Sequence, residues 1–317
     1  MATAATKEKA SYKVTNWAKY NESLVSRGDI TFWFNEDVLD SWEHDNAQWK
    51  VGHPFVYSDL AIESLLMLRE LFRLPYRQTE GLARALVKLM DADVQIPDYT
   101  LLQKRAAKLN VAIEVAQASA GPIHVVVDST GLKVYGEGEW KVRKHGVGKR
   151  RTWRKLHLAV NPGTHEIVAE TLTENSVHDA DQVDELLDQV DTDVEVLYGD
   201  GAYDQWKVYE SLDRRGVWSI IPPRKNAKIK QHGNASADPL ERDESIRQIR
   251  REGLKAWKES IGYHRRSLAE TAMHRFKRCF GEGLKNRKLE NQRIEVALRC
   301  KLLNLFVTFG MPIFAWG

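Results

Sequence analysis

The apolar positions of this chain change their period near residue 120. Before that point they recur at helical spacing. In SDLAIESLLMLRELFRL, Leu60, Ile62, Leu65, Leu66, Leu68 and Leu71 make a wide apolar face, and Ser58 stands where an N-cap belongs. After Pro75, TEGLARALVKLMDADVQIPDYTLLQKRAAKLN continues the helical pattern. Asp98 or Thr100 would cap a last helix exposing Gln103, Lys104, Arg105 and Lys108. Helix, short connector and basic helix is the pattern of a helix-turn-helix, and an ordinary solvated bundle helix is the alternative.

From His124 the period becomes two. HVVVDSTGLKVYG, RTWRKLHLAVN and HEIVAETLTEN predict three consecutive strands, with Gly136, Gly138, Asn161, Pro162 and Gly163 as turn residues between them. An acidic helix, HDADQVDELLDQV, then leads to the strand VEVLYGD, and a second helix, DQWKVYESLDRRG, leads to WSIIPP. The order β-β-β-α-β-α-β is an antiparallel meander extended by parallel strands, a mixed α/β sheet. A polar stretch at about 224–258 interrupts it, with a composition suited to a mobile segment that orders on DNA. YHRRSLAETAMHRFK and RIEVALRCKLLNLFVTF supply the closing helices. The expected organisation is a helical region over 1–120 and an α/β domain over 121–317, with the polar insert inside it.

Composition narrows this picture only a little. A chain of 317 residues accommodates two domains, and a net charge of +3 says less than its distribution. Lys141, Arg143, Lys144, Lys149, Arg150, Arg151, Arg154 and Lys155 fall together without an acidic residue, whereas the stretch from Asp179 to Asp193 is acidic. The first could hold phosphates. Two cysteines, Cys279 and Cys300, exclude a disulfide framework or a zinc site of the usual spacing. The first residues lack the apolar stretch of a signal peptide, and Gly310 and Pro312 break the apolar C-terminal run, so a cytoplasmic protein without a membrane span is expected.

Three acidic residues carry the candidate chemistry. Asp128 follows three valines at the end of the first strand run, and Asp200 follows the strand VEVLYG between Gly199 and Gly201. A carboxylate at the end of a buried strand is costly unless it is paired or binds a metal; capping of the next turn is the plainer explanation for each. In the helix beginning at Tyr263, about 100° per residue brings Tyr263, Glu270 and Lys277 nearly into register, with Arg266 within about 60° of them. Leu268, Ala272 and Phe276 fall on the opposite side. Three hard oxygen donors with open positions suit Mg²⁺ or Mn²⁺, and two such ions would serve an in-line attack on phosphorus.

IHVVVDSTGLKVYG, VLYGDGAYD and YHRRSLAETAMHRFK resemble the three catalytic motifs of DDE transposases of bacterial insertion sequences, in particular the fifth insertion-sequence family. The third motif matches that group's Y-x2-R-x3-E-x6-K signature at Tyr263, Arg266, Glu270 and Lys277. The resemblance covers about residues 121–317 and, more loosely, the helical region. It implies a ribonuclease-H-like fold, Asp128, Asp200 and Glu270 as ligands of two Mg²⁺ (or Mn²⁺) ions, and DNA transfer by a homodimer or larger oligomer. Its partners would be double-stranded DNA, as transposon ends and as target, with the helical region binding the terminal inverted repeats. Arg266 and Lys277 would hold phosphates and Tyr263 the DNA end. Lys104 and Arg105 would bind DNA from the N-terminal side, while Arg150 and Arg151 would form a basic hairpin in which Trp153 could stack on an unpaired base. Asp179 or Asp181 of HDADQ would cap the acidic helix, or else support the site. The rivals are a ribonuclease-H-like nuclease that does not join strands, and a DNA-binding repressor whose site has lapsed.

Overall fold

The computed structural model describes residues 12–32, 35–46, 54–115, 121–134, 153–231 and 240–316. The N-terminal region is helical as its periodicity predicts: α1 (Trp17–Ser26), α2 (Glu36–Asp40), α3 (Asp59–Leu71), α4 (Tyr76–Leu89) and α5 (Tyr99–Ala106), after a short strand β1 (Tyr12–Val14). Ser58 caps α3 by accepting from the Ala61 N–H at 3.0 Å. Asp98, rather than Thr100, caps α5, accepting from the N–H groups of Thr100 and Leu101 at 2.7 and 2.9 Å. The helix-turn-helix expectation does not hold for α4 and α5, because residues 90–98 separate them where that motif has a turn of three or four residues.

Arg105 corrects the sequence reading in the same way. It is buried, not exposed. Its Nη1 donates to the Tyr57 carbonyl at 2.9 Å, its Nη2 pairs with Asp59 at 2.6 Å, and its guanidinium lies 4.3 Å from the Phe55 ring centre. The α5 residue facing α3 needs its charge neutralised inside the protein, and Asp59 supplies that. Lys104, its neighbour, remains exposed.

β2 (Ile123–Val134), β3 (Trp153–Val160) and β4 (Ile167–Glu174) form the antiparallel meander, and β5 (Val194–Tyr198) and β6 (Trp218–Ile220) extend it in parallel. The order β4-β3-β2-β5-β6, with crossovers through α6 (Val183–Leu187) and α7 (Trp206–Arg215), is the mixed α/β sheet that the strand pattern predicts. A two-residue strand, β7 (Gly283–Leu284), also joins β2, at its far end: Lys133 pairs with Gly283 and Val134 with Leu284. On that edge β5 reaches only to the Val126–Tyr198 pair. Among the described residues, no strand pairs with this edge of β2 between Val127 and Leu132.

The remaining helices are α8 (Glu241–Glu252), α9 (Leu254–Ser260), α10 (Ser267–Phe280) and α11 (Leu289–Phe309), before a last strand, β8 (Phe314–Trp316), that pairs with β1. α8 and α9 occupy part of the stretch expected to be a mobile insert. Asp204 is the reason α8 is held: Arg242 donates to it at 2.6 Å, and the Arg224 N–H at 2.8 Å. α11 ends at Gly310, whose φ of 137° is closed to other residues without strain. No helix of the described residues is long and apolar enough to cross a membrane.

Alternate residues of the strands feed two cores, making helix, sheet and helix layers. Val125 and Val127 face α6 and α7 with Ala159, Leu186 and Leu212. Val126 and Leu132 face the opposite layer with Leu156, Leu158, Phe276 and Leu303. That second core continues without interruption into the N-terminal helices through Ile62, Leu65 and Leu66. A sealed ion network crosses it: Arg299 of α11 donates to Glu70 of α3 at 2.8 Å and also pairs with Glu295, while Glu70 pairs with Arg69.

Candidate active site

Asp128 lies in the middle of β2 rather than at its end, since β2 runs on to Val134 against β3. The period of two puts it on the same face as Val126, toward α10. It also falls just where β5 has stopped, so the open edge of β2 begins beside it. Asp200 follows β5 by two residues and caps the 3-10 turn Gly201–Tyr203, its Oδ1 accepting from the Ala202 N–H at 2.7 Å. The capping role weighed from sequence is therefore real and occupies one of its oxygens. Gly199 is needed beside it because a Cβ there would stand 3.0 Å from the Tyr203 ring.

Tyr263 and Arg266 precede α10 in a 3-10 turn, Tyr263–Arg266, that packs against β2 and β5. This turn delivers Arg266 to the acidic residues. Its Nη1 donates to Glu270 Oε1 at 2.7 Å and its Nη2 to Asp128 Oδ2 at 3.3 Å, while the Ser129 N–H donates to Asp128 Oδ1 at 2.9 Å. The Nε of Arg266 is buried and has no hydrogen-bond partner among the described residues.

The electrostatics agree with that proximity. Burial pushes the Asp128 carboxyl above its ordinary pKa; the Ser129 N–H and Arg266 pull it down, and Asp200 and Glu270 push it up again. Burial works against the Arg266 charge, but Asp128, Tyr263, Glu270 and Asp200 hold its pKa above the ordinary value. Asp128, Asp200, Arg266 and Glu270 are thus one coupled group.

Two family models, each described as "Transposase DDE domain", match residues 25–137 and 119–305, the second more than half of the chain. The chain belongs to the DDE transposase family. Among solved structures, the cryo-EM structure of a piggyBac transposase synaptic complex with hairpin DNA is similar at 10% identity and a TM-score of 0.38, covering 94% of this chain and 77% of that one.

The other residues singled out in this transposase are distributed more widely. Tyr263 is buried, with the Trp257 ring centre 6.2 Å from its own and Lys258 Nζ 4.8 Å away, so the expected exposed stripe does not include it. Leu268 is half-buried, and Ala272 and Phe276 are buried as expected. Lys277 lies farther along α10, where its charge adds to the hydrogen bond and charge of Lys133 in lowering the Glu282 pKa. Trp153 is half-buried at the start of β3, its ring against Gly131 and 5.8 Å from Lys133 Nζ. Arg150 and Arg151 lie outside the described residues.

On the opposite face of the sheet, Asp179 was weighed from sequence as a cap or as support for the site, but its neighbours His157 and Tyr203 were passed over. His157 of β3 is fully buried, with Nδ1 3.6 Å from Asp179, which also pairs with Lys155 at 3.2 Å. Asp179 therefore contacts β3 and makes no cap. Burial lowers the His157 pKa to about 4. Tyr203 is buried nearby, its hydroxyl without a partner among the described residues, and its ionisation is resisted by burial and by Asp179, Asp128 and Asp200. No spacing in the sequence marks Tyr203 or His157.

Among the described residues no three His, Cys, Asp or Glu side chains are arranged to hold a metal ion. The chemistry of the donors nonetheless fits a hard divalent cation: mutual repulsion helps to raise the Asp128 pKa, and Arg266 supplies the positive charge between Asp128 and Glu270.

Proposed function

We propose that this transposase binds the terminal inverted repeats of a bacterial insertion sequence, in the fifth insertion-sequence family, and carries out divalent-metal-dependent cleavage and strand transfer. The observation that supports this reading is that Arg266 binds both Asp128 and Glu270 at the open edge of β2, where the charge of Asp200 also acts on Asp128. Asp128, Asp200 and Glu270 would hold one or two Mg²⁺ or Mn²⁺ ions, which when bound supply Lewis acidity to the attacking and leaving oxygens of an in-line displacement.

The protein's own residues position the DNA. Arg266, half-buried between Asp128 and Glu270, brings the positive charge that a phosphate needs beside these carboxylates. Lys277 adds positive charge farther along the same helix. No side-chain nucleophile is required: water attacks in cleavage, and a DNA 3′-hydroxyl attacks in joining. Residues 1–120 recognise the ends and 121–317 perform the chemistry, in a homodimer or larger oligomer on paired ends in the cytoplasm.

The test is incubation of the purified protein with a transposon-end duplex and a plasmid target, in Mg²⁺ or EDTA. Wild type should give metal-dependent joined products, and Asp128→Asn, Asp200→Asn and Glu270→Gln should each bind the end but give none. Cleavage without joining would leave a nuclease; binding alone would leave a repressor. Robust strand transfer by any of the three variants would overturn the assignment of the triad.

A further inference from the structure

A second basic feature lies away from the acidic group. A cleft of about 650 Å³ opens between the N-terminal helices and the segment joining β7 to α11. Arg69 and Lys104 line one side; Lys285, Arg287 and Lys288 line the other, with Glu290 the one carboxylate among its lining residues. Positions 69 and 104 are far from 285–288 in sequence, and only the fold gathers these cations.

The acceptors around this cleft are already engaged. Glu295 accepts from the N–H groups of Lys285 and Asn286 at 2.9 and 3.0 Å, from Asn286 Nδ2 at 2.7 Å, and from Arg299. Glu70 is held by Arg69 and Arg299. The ammonium of Lys285 and the Nε of Arg69 are buried and have no hydrogen-bond partner among the described residues. Burial lowers the Lys285 pKa, which records what an unpaired ammonium costs there. An anion entering the cleft would supply the missing acceptor.

We propose that this cleft binds the phosphodiester backbone of duplex DNA, as a contact separate from the acidic group. This rests on the DNA-binding reading above. Lys104, Arg287 and Lys288 are exposed, so cations continue from the half-buried Lys285 to the surface; such a row suits successive phosphates better than one small anion. The placement also suits a duplex that reaches the acidic group. Gly283 pairs with Lys133 of β2, the strand carrying Asp128, and Lys285 follows two residues on. Counted along β2 and β7 at about 3.3 Å per residue, Lys285 is within about 25 Å of Asp128, less than one turn of B-DNA at about 34 Å.

The experiment measures binding of the full chain to a fluorescent random-sequence duplex across a salt series in EDTA. Wild type is compared with Lys104→Gln, Arg287→Gln, the double variant, and Arg214→Gln on α7 as an exposed control. Each cleft substitution should weaken binding several-fold at physiological salt and lower the slope of log affinity against log salt by about one. The control should match wild type. In parallel, amine acetylation read by mass spectrometry should show Lys104 and Lys288 protected by the duplex. A double variant with wild-type affinity and slope, or lysines acetylated equally with and without DNA, would overturn the cleft assignment and leave the DNA-binding reading standing. A wild type that binds no duplex would overturn both.

Discussion

Arg266 Nη2 stands 3.3 Å from Asp128 Oδ2, joining a turn before α10 to the middle of β2 across 138 residues of sequence. The same guanidinium holds Glu270 through its other terminal nitrogen, so one cation serves two carboxylates. Arg266 does not fully offset the burial of Asp128 and the repulsion from its acidic neighbours, because the Asp128 pKa remains raised.

A raised pKa means that the native state holds the Asp128 proton more tightly than the unfolded chain does. Stability from this group is then present at low pH and falls as pH rises from about 3.9, the unfolded value, through the native value. At neutral pH the ionised carboxylate opposes folding. Asp128→Asn should therefore melt at a higher temperature than wild type at pH 7 without divalent ions, with the difference closing below about pH 3.9. A variant that melts lower at pH 7 would contradict the electrostatic reading of the site.

His157 gives the opposite slope. Its native pKa is about 4 and its unfolded value about 6.5, so the unfolded chain binds more protons between them and stability rises with pH over that window. The whole effect amounts to at most about 3.4 kcal/mol. Urea unfolding at successive pH values should show this rise in wild type and its loss in His157→Gln. An unchanged pH profile in the variant would place the titrating group elsewhere.

The Arg299–Glu70 pair makes a third expectation. Both side chains are sealed, and removal of the Glu70 charge leaves Arg69 and Arg299 buried with Glu295 as the one carboxylate of the network. Glu70→Gln should cost about 3–5 kcal/mol in urea unfolding. Arg84→Ala, which breaks the i,i+4 pair of a largely exposed Arg84 with Glu80, should cost less than about 1 kcal/mol. Equal losses for the two would show that the buried network is not what holds α3 to α11.

Much of the sheet is legible in the sequence because its strands bury alternate residues in two cores. The Val125, Val126, Val127 run is apolar throughout for that reason. Asp128 reads as the end of a strand with a turn after it, yet β2 continues past it, since Thr130 pairs with Leu156 and Leu132 with Arg154. Gly131 is there because Trp153 lies against it. Tyr263 was misplaced for a different reason: a 3-10 turn advances by about 120° per residue rather than 100°, so projection as one continuous α-helix puts it on the wrong side. Arg105 and the basic cleft depend on contacts between distant segments, which helical or strand periodicity does not encode.

The sealed bond between Glu70 and Arg299 also bears on how such a chain can be inherited. Its two ends lie on opposite sides of residue 120, so a chimera joined there takes one member of the pair from each parent. Parents that differ at either position would produce offspring with an orphaned internal charge, a loss comparable with a large part of a domain's net stability. Residues 1–120 are therefore tied energetically to those that follow them, and a functional exchange at that junction needs matched residues at 70 and 299.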